Sequence, residues 1–327
     1  MSRQHERLDE DDVRVRPGRH KSRPRTKDRP EHLEAADAQV TTVDRGRFTI
    51  MYSNGTEGYA IKARELGRKG IVVGDRVHVV GDASGGLDSP ARIVRREERT
   101  AVLRRTADDS DPVERVLVAN ADQLAVVTAT ANPEPSTGLI DRALVAAFDA
   151  GLRPILIITK VDVASPDSLI ATYEPLDVPI YLIGDKQVTP ELISALTGHC
   201  TVLVGHSGVG KSTMVNALVP DADRRIGHVN VVTGKGRHTS TSAISFPLPD
   251  SGSIIDTPGI RSFGLAHVTT EALLRPFEDL HELTDNCPRS CSHDEPDCAL
   301  NNLTDPVLIA RVVALRRLLR SRSAAAD

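Results

Sequence analysis

The 327-residue chain contains no tryptophan, and aromatic residues make up only 3% of it. A protein that grips nucleic acid by stacking bases on aromatic platforms needs more rings than this, so stacking is excluded as the main mode of contact. No run of about 18 apolar residues occurs and no hydrophobic signal region opens the chain, which argues against a membrane protein and for the cytoplasm. Cysteine is scarce: Cys200, Cys287, Cys291 and Cys298 are all there is. Three of the four crowd near the carboxy-terminal end, a pattern that suits a metal site in a reducing compartment and not a disulfide framework. The formal net charge is −4, so any basic character is local.

What is there centres on Gly205-His206-Ser207-Gly208-Val209-Gly210-Lys211-Ser212-Thr213, which fits G-x-x-x-x-G-K-[ST] in full. The apolar Thr201-Val202-Leu203-Val204 precedes it and a helix-like stretch over 214–219 follows. In that strand-loop-helix context the backbone N–H groups wrap a phosphate chain and the helix dipole favours its charge. Lys211 then meets the β and γ oxygens, and Ser212 ligates Mg2+. Downstream, Ser253-Ile254-Ile255-Asp256-Thr257-Pro258-Gly259 reads as a buried strand ending in D-x-x-G, with Asp256 facing the Mg2+ shell and the Gly259 amide the γ-phosphate. Upstream, a strand over 154–158 runs into Thr159-Lys160-Val161-Asp162. The carboxylate of Asp162 can accept from both N1–H and the N2 amino group of guanine, a pair that adenine lacks.

The base-reading stretch comes before the phosphate loop, the reverse of the order in Ras-like GTPases. A doubly wound sheet tolerates cutting one loop and rejoining the termini, because each strand keeps its neighbours. The pattern is therefore that of a circularly permuted GTPase binding GTP/GDP with Mg2+. Between the phosphate loop and D-x-x-G, Gly234-Lys235-Gly236-Arg237-His238-Thr239-Ser240-Thr241 has the composition of a switch that closes on Mg2+ and γ-phosphate through a hydroxyl. Its Thr239, Ser240 and Thr241 are not ranked by sequence. Ile260 follows D-x-x-G where many such enzymes have a water-orienting glutamine; either the imidazole of His238 takes that task, or His238 only shapes the loop and a partner supplies the group in trans. His238, Lys211 and Thr239 are thus the candidate catalytic residues.

Composition divides the rest. Residues 1–37 are polar, with a basic block from Arg14 to Arg29, and read as a disordered arm that is either a solvated leader or neutralises RNA phosphates. Residues 38–105 hold five short alternating segments and suit a small barrel, OB-like, with an SH3-like barrel as the alternative. After a polar linker over 107–112, residues 113–265 alternate strands with helices at 138–150, 167–173 and 190–196, as in a parallel sheet. Residues 266–327 begin with a helical stretch over 269–283. Cys287, Cys291, His293 and Cys298 then supply three thiols and one imidazole, a closed structural Zn2+ set. The last helix, over 306–319, ends in Arg316, Arg317, Arg320 and Arg322, which either meet rRNA or complement the helix C-terminus.

Together the barrel, Asn120-Ala121-Asp122-Gln123, Leu139-Ile140-Asp141-Arg142, the permuted order, Gly236-Arg237-His238-Thr239, the run from Asp256 to Phe263 and the cysteine cluster resemble the RsgA (YjeQ) family of small ribosomal subunit biogenesis GTPases. The resemblance implies a multidomain α/β protein: an OB-fold-like barrel, a permuted GTPase domain and a helical zinc-binding domain. It also implies late maturation of the small ribosomal subunit and its rRNA as the task, turnover stimulated by the subunit, and a monomer. Thr159 stands where the family usually has asparagine, which implies a looser tie between the base-reading loop and the phosphate loop. Two other readings fit the residues: an RNA-binding assembly protein using GTP as a lock without turnover, and a permuted GTPase of the large subunit.

Overall fold

The computed structural model describes residues 32, 34–67, 70–81, 90–105, 115–219, 222, 243–257, 263, 265 and 267–322, with Glu65 described by its backbone alone. The expected basic arm up to residue 31, the 107–112 linker, the switch loop with His238 and Thr239, and Gly259 and Ile260 lie outside the described residues.

Strands β1 (Ala36–Asp44), β2 (Arg47–Tyr52), β3 (Glu57–Lys62), β4 (Arg76–Val80) and β5 (Ala91–Arg96) close on themselves in the order β1-β2-β3-β5-β4-β1. A closed five-stranded barrel in which β3 and β5 run parallel is the OB-like arrangement, and it removes the SH3-like alternative. Inward residues alternate along the strands, with Val40, Ile50 and Ile93 fully buried at its centre.

Next come β6 (Val102–Arg105) and β7 (Arg115–Ala119), an antiparallel ribbon that the sequence pattern did not announce. The remaining elements are β8 (Gln123–Ala129), α1 (Thr137–Asp149), β9 (Arg153–Thr159), α2 (Asp167–Tyr173), β10 (Ile180–Ile183), α3 (Pro190–Leu196), β11 (Cys200–Val204), α4 (Lys211–Leu218), β12 (Ile244–Pro247) and β13 (Ser253–Asp256). They build the sheet β10-β9-β8-β11-β13-β12, parallel except for β12. All seven residues of β8 are buried, as a central parallel strand covered on both faces requires.

The expected helix over 269–283 is broken. It forms as α5 (Thr270–Leu274) and α6 (Glu278–His281), followed by a 3-10 turn over Glu282–Asn286. Pro276 lies in the gap; it has no N–H to donate and restricts Arg275 before it. The chain ends its described part in α7 (Pro306–Ser321), which Asp305 caps by accepting from Val307 N at 2.7 Å. The spacing of α1 predicts one apolar face, yet residues 139–147 are buried without a break, Asp141 and Arg142 among them. Both faces are covered because the sheet lies under one and α5 and α7 pack on the other.

The barrel is joined to the nucleotide sheet by backbone, not by a loose linker. Thr42 of β1 pairs with Ile244 of β12, making one hydrogen-bonded sheet through both units. At the junction Asn120 Nδ2 donates to Gly74 O at 2.9 Å and Asn120 Oδ1 accepts from Thr100 N at 2.9 Å. Beside it the fully buried Asp75 is gripped by Arg99 through Nε (2.7 Å) and Nη2 (2.9 Å). Gly74 sits at φ 89°, and a Cβ there would stand 1.9 Å from Ala119 O. Gly74→Ala should therefore destabilise the protein by roughly 2–4 kcal/mol, from backbone strain plus a clash with main chain. Denaturant unfolding measures it, and an unchanged midpoint would mean that the β7 backbone yields freely.

Candidate nucleotide and metal sites

Parallel pairing brings the motif residues to one edge of the sheet. Ile183, Thr159, Val204 and Asp256 are the last residues of β10, β9, β11 and β13. Their register aligns them: Ile183 pairs with Thr159, Thr159 with Ala129, Val204 with Val126, and Asp256 with Leu203. Open α/β sheets take their ligands at this carboxyl edge.

The phosphate loop leaves β11 at Gly205, where a Cβ would lie 2.1 Å from Val127 O. The first glycine of the motif is thus required by close passage alongside β8. Gly210, at φ 100°, caps α4, and Val209 tucks into the core. Lys211 is 9% exposed, and its Nζ donates to Gly205 O at 2.5 Å and His206 O at 2.9 Å. Burial pushes the Lys211 pKa down against the pull of Asp256; burial likewise pushes the Asp256 pKa up against Lys211. Among the described residues, Asp256 Oδ1 is buried without a hydrogen-bond partner. It lines a cavity of about 310 Å³ together with Ser207, Lys211, Ser212 and Thr213. An orphaned carboxylate oxygen on a residue that lines one cavity with the Ser212 and Thr213 hydroxyls is a donor set that a hard cation such as Mg2+ fits, and the lysine and loop amides fit phosphate.

A second cavity, of about 240 Å³, lies against the first and shares Gly208, Gly210 and Thr213 with it. Thr159, Lys160 and Asp162 line it as the sequence predicts. Its apolar walls are Val163, Ile183, Val188 and Met214, with Lys186 at the rim. Ile183 and Lys186 belong to the stretch that stands where the resemblance implies a backbone contact to guanine, whereas Val163, Val188 and Met214 were missed; the available signal was position, since Val163 follows Asp162 and Met214 follows Thr213. Asp162 Oδ1 accepts from Asp185 N at 3.0 Å, which fixes the carboxylate at the mouth. Lys160, Asp185 and Lys186 all have positive φ, turning both loops tightly over the cavity. Thr159 Oγ1 stands 2.6 Å from Val209 O and 3.1 Å from Thr128 O. The looser tie expected from threonine is not what the geometry has: the hydroxyl reaches the phosphate loop directly. Two contiguous cavities, one apolar-walled with a carboxylate, the other lined by the phosphate loop and an ammonium, match a purine nucleotide in chemistry.

The third site shares no residue with these. The ligand atoms of Cys287, Cys291, His293 and Cys298 all lie within 4.8 Å of one another. Cys287 Sγ is 3.6 Å from His293 Nδ1 and 3.8 Å from Cys298 Sγ, and Cys298 Sγ is 3.8 Å from His293 Nδ1. Tetrahedral Zn2+ with ordinary bond lengths places its ligand atoms about 3.6–3.8 Å apart, so the four groups fit that ion. Helix α7 holds the loop from outside. Arg316 Nε donates to His293 O at 2.8 Å and Arg320 grips Asp294 through Nε (2.8 Å) and Nη2 (2.6 Å). Arg317 and Arg322 also turn inward, to Asp141 and to Val268 O, so these arginines hold the fold together at the helix end.

The model of the RsgA GTPase family matches residues 96–266, just over half of the chain. Among curated proteins, the small ribosomal subunit biogenesis GTPase RsgA of Azotobacter vinelandii is 41% identical over 263 residues, covering 77% of this chain and 75% of that protein. RsgA of Pseudomonas aeruginosa is 41% identical over 217 residues, covering 63% of this chain and 64% of that protein. Among solved structures, YjeQ from Thermotoga maritima superposes with a TM-score of 0.60 at 25% identity, over 87% of this chain and 99% of that one. YloQ, described as a circularly permuted GTPase, superposes with a TM-score of 0.61 at 21% identity, over 89% of this chain and 97% of that one, a likeness of fold. The sheet edge, the order of its motifs and these matches agree that the chain belongs to the RsgA GTPase family.

Proposed function

We propose that this protein binds and hydrolyses GTP as an assembly factor of the small ribosomal subunit, working in the cytoplasm as a monomer that touches the subunit's rRNA. The observation that carries the reading is the pair of contiguous cavities at one sheet edge, with Asp162 in one and Lys211 and Asp256 in the other. In support, relatives over most of the chain bear that role in their names. The working units of the reading are an arm over 1–37, the barrel over 38–105, the nucleotide domain over 113–265 and a helical zinc unit over 266–327.

In this reading Asp162 takes the guanine edge, with Thr159 and Lys160 holding its loop. The amides of the Gly205 to Thr213 loop and the Lys211 ammonium take the phosphates. Nucleotide entry draws Lys211 off the Gly205 and His206 carbonyls, an exchange of neutral acceptors for charged ones. Ser212 and Asp256 hold Mg2+, which supplies charge neutralisation on the β and γ oxygens when bound. Gly259 donates to the γ-phosphate, Thr239 closes the switch, and His238 orients the attacking water in place of the missing glutamine. Cys287, Cys291, His293 and Cys298 hold one structural Zn2+. Sedimentation of the protein with isolated subunits in a GTP analogue tests the partner; association with the large subunit alone would overturn it.

Three outcomes are expected. Asp162→Asn should weaken GTP binding by more than about tenfold and shift preference toward xanthine nucleotides, because the amide keeps one acceptor but sets an N–H donor against the guanine N2 amino group. Equal ATP and GTP affinity in the parent protein would remove the basis for that expectation. Freshly purified protein should carry close to one zinc, and a chelator should unfold the 287–298 loop while nucleotide binding persists. Less than about half an equivalent by elemental analysis would count against a constitutive site. His238→Ala should lower subunit-stimulated turnover on the order of 10²-fold with nucleotide and subunit affinity nearly unchanged, whereas Lys211→Ala should damage nucleotide binding too. Stimulated turnover at the parental rate in His238→Ala would move the water-orienting group to the subunit.

A further inference from the structure

Two charged residues are buried side by side on α1 and neither reaches the nucleotide cavities. Asp141 is 4% exposed and Arg142 is 6% exposed. They point to different parts of the molecule. Arg142 Nη2 donates to Phe263 O at 3.0 Å. Phe263 is itself buried and stands four positions beyond Gly259 in the chain. Asp141 instead receives Arg317 of α7, whose Nε lies 2.9 Å from Oδ2 and 3.1 Å from Oδ1. The same guanidinium donates to Thr172 O at 3.1 Å through Nη1 and stacks 4.8 Å over the Tyr173 ring. One helix therefore grips Phe263, just beyond the D-x-x-G segment, with one residue and the last helix of the zinc unit with the residue before it.

Stability alone does not call for this arrangement. Burial pushes the Asp141 carboxyl up, with Arg317 opposing it, and an apolar pair of similar volume would fill the same space without desolvating two charges. What an ion pair adds is direction: guanidinium and carboxylate accept one register of α7 against α1, where packed aliphatic groups would tolerate several.

We propose that Asp141 and Arg142 are positioning residues through which the carboxy-terminal helical unit sets the backbone leaving the D-x-x-G segment, so that the state of the nucleotide site and the seating of α7 depend on each other. This rests on the nucleotide reading above. Any displacement of Phe263 O is passed to Arg142, hence to the register of α1, and through Asp141 to Arg317; the path also runs in reverse.

Hydrogen exchange on the full-length protein, loaded with GDP or with a non-hydrolysable GTP analogue, tests it. The parent should show nucleotide-dependent exchange both over residues 263–268 and over α7. In Arg317→Met, and in Arg142→Met, the difference over α7 should vanish while that near Phe263 remains. Turnover should fall about tenfold with KM within about twofold, and Arg142→Lys should restore part of the loss. The double variant should lose no more than either single one, since both cut the same path. Should Arg142→Met not fold, Arg317→Met, whose side chain is at the protein's edge, still decides the matter. A parent in which α7 ignores the nucleotide, or an Arg317→Met protein in which it still responds, overturns the proposal. A parent that binds neither nucleotide overturns the functional reading on which the proposal rests, and the two failures are told apart by nucleotide titration.

Discussion

The structure depends on the hydrogen-bonded register of β8 with its neighbours β9 and β11. Because these strands run parallel, each delivers its carboxyl end to the same edge, where β9 ends in the motif residue Thr159 and β11 leads directly into Gly205. The base-reading loop and the phosphate loop are separated by a long stretch of chain but by one strand position in the sheet. Joining them is then a local matter, done by the Thr159 hydroxyl and the Val209 carbonyl. This is why motif order along the chain can be permuted without cost to the site. Geometry follows from which strand lies beside which, and the connections that set the order run elsewhere.

A second constraint follows from the first. With β12 antiparallel at the far side of the sheet, its free edge would be open to another strand, and β1 of the barrel takes that place. The barrel is thereby part of the nucleotide sheet's hydrogen-bond network, and Asn120, Gly74 and the Asp75–Arg99 pair pin it from a second side. Two attachments at different points resist rotation as one linker could not. Any surface that the barrel presents is thus held in a fixed relation to the nucleotide cavities, which is what a factor reading a large assembly requires.

Local signals made much of this legible in the sequence. Gly205 to Thr213 needs only adjacent residues to be recognised, and Cys287, Cys291, His293 and Cys298 sit within one loop. Where the determinant was distant in sequence, the reading fell short. Nothing near 139–147 tells that α1 will be covered on both faces, because its second cover, α7, lies at the other end of the chain. The β6–β7 ribbon was missed for the same reason, since Arg115–Ala119 earns its strand by pairing and by the bridge of Val118 to Val73. The break at Pro276 was local and available, but apolar spacing on both sides outweighed it. Arg316, Arg317, Arg320 and Arg322 read either as rRNA contacts or as complements to the helix C-terminus; only the fold shows each of them facing an acceptor of its own protein.

Thr159 reaches the phosphate loop through a hydroxyl, where the resemblance implies an asparagine amide. An asparagine amide has two donors and an acceptor, enough to tie a loop on more than one side. A threonine hydroxyl has one donor, so it must choose, and the shorter of its two contacts is the one to Val209 O, at 2.6 Å against 3.1 Å for Thr128 O. The residue is 4% exposed, so water does not compete for that donor. Other groups steady the rest of the loop: Thr130 Oγ1 donates to Lys160 O at 2.6 Å, Thr130 N donates to Thr159 O at 3.0 Å, and Val161 N donates to Ile183 O at 3.3 Å. The work of one amide is thus divided between a buried hydroxyl that reaches the phosphate loop and a neighbouring strand end that holds the backbone. The base-reading loop and the phosphate loop are thus tied directly, by a side chain with a single donor.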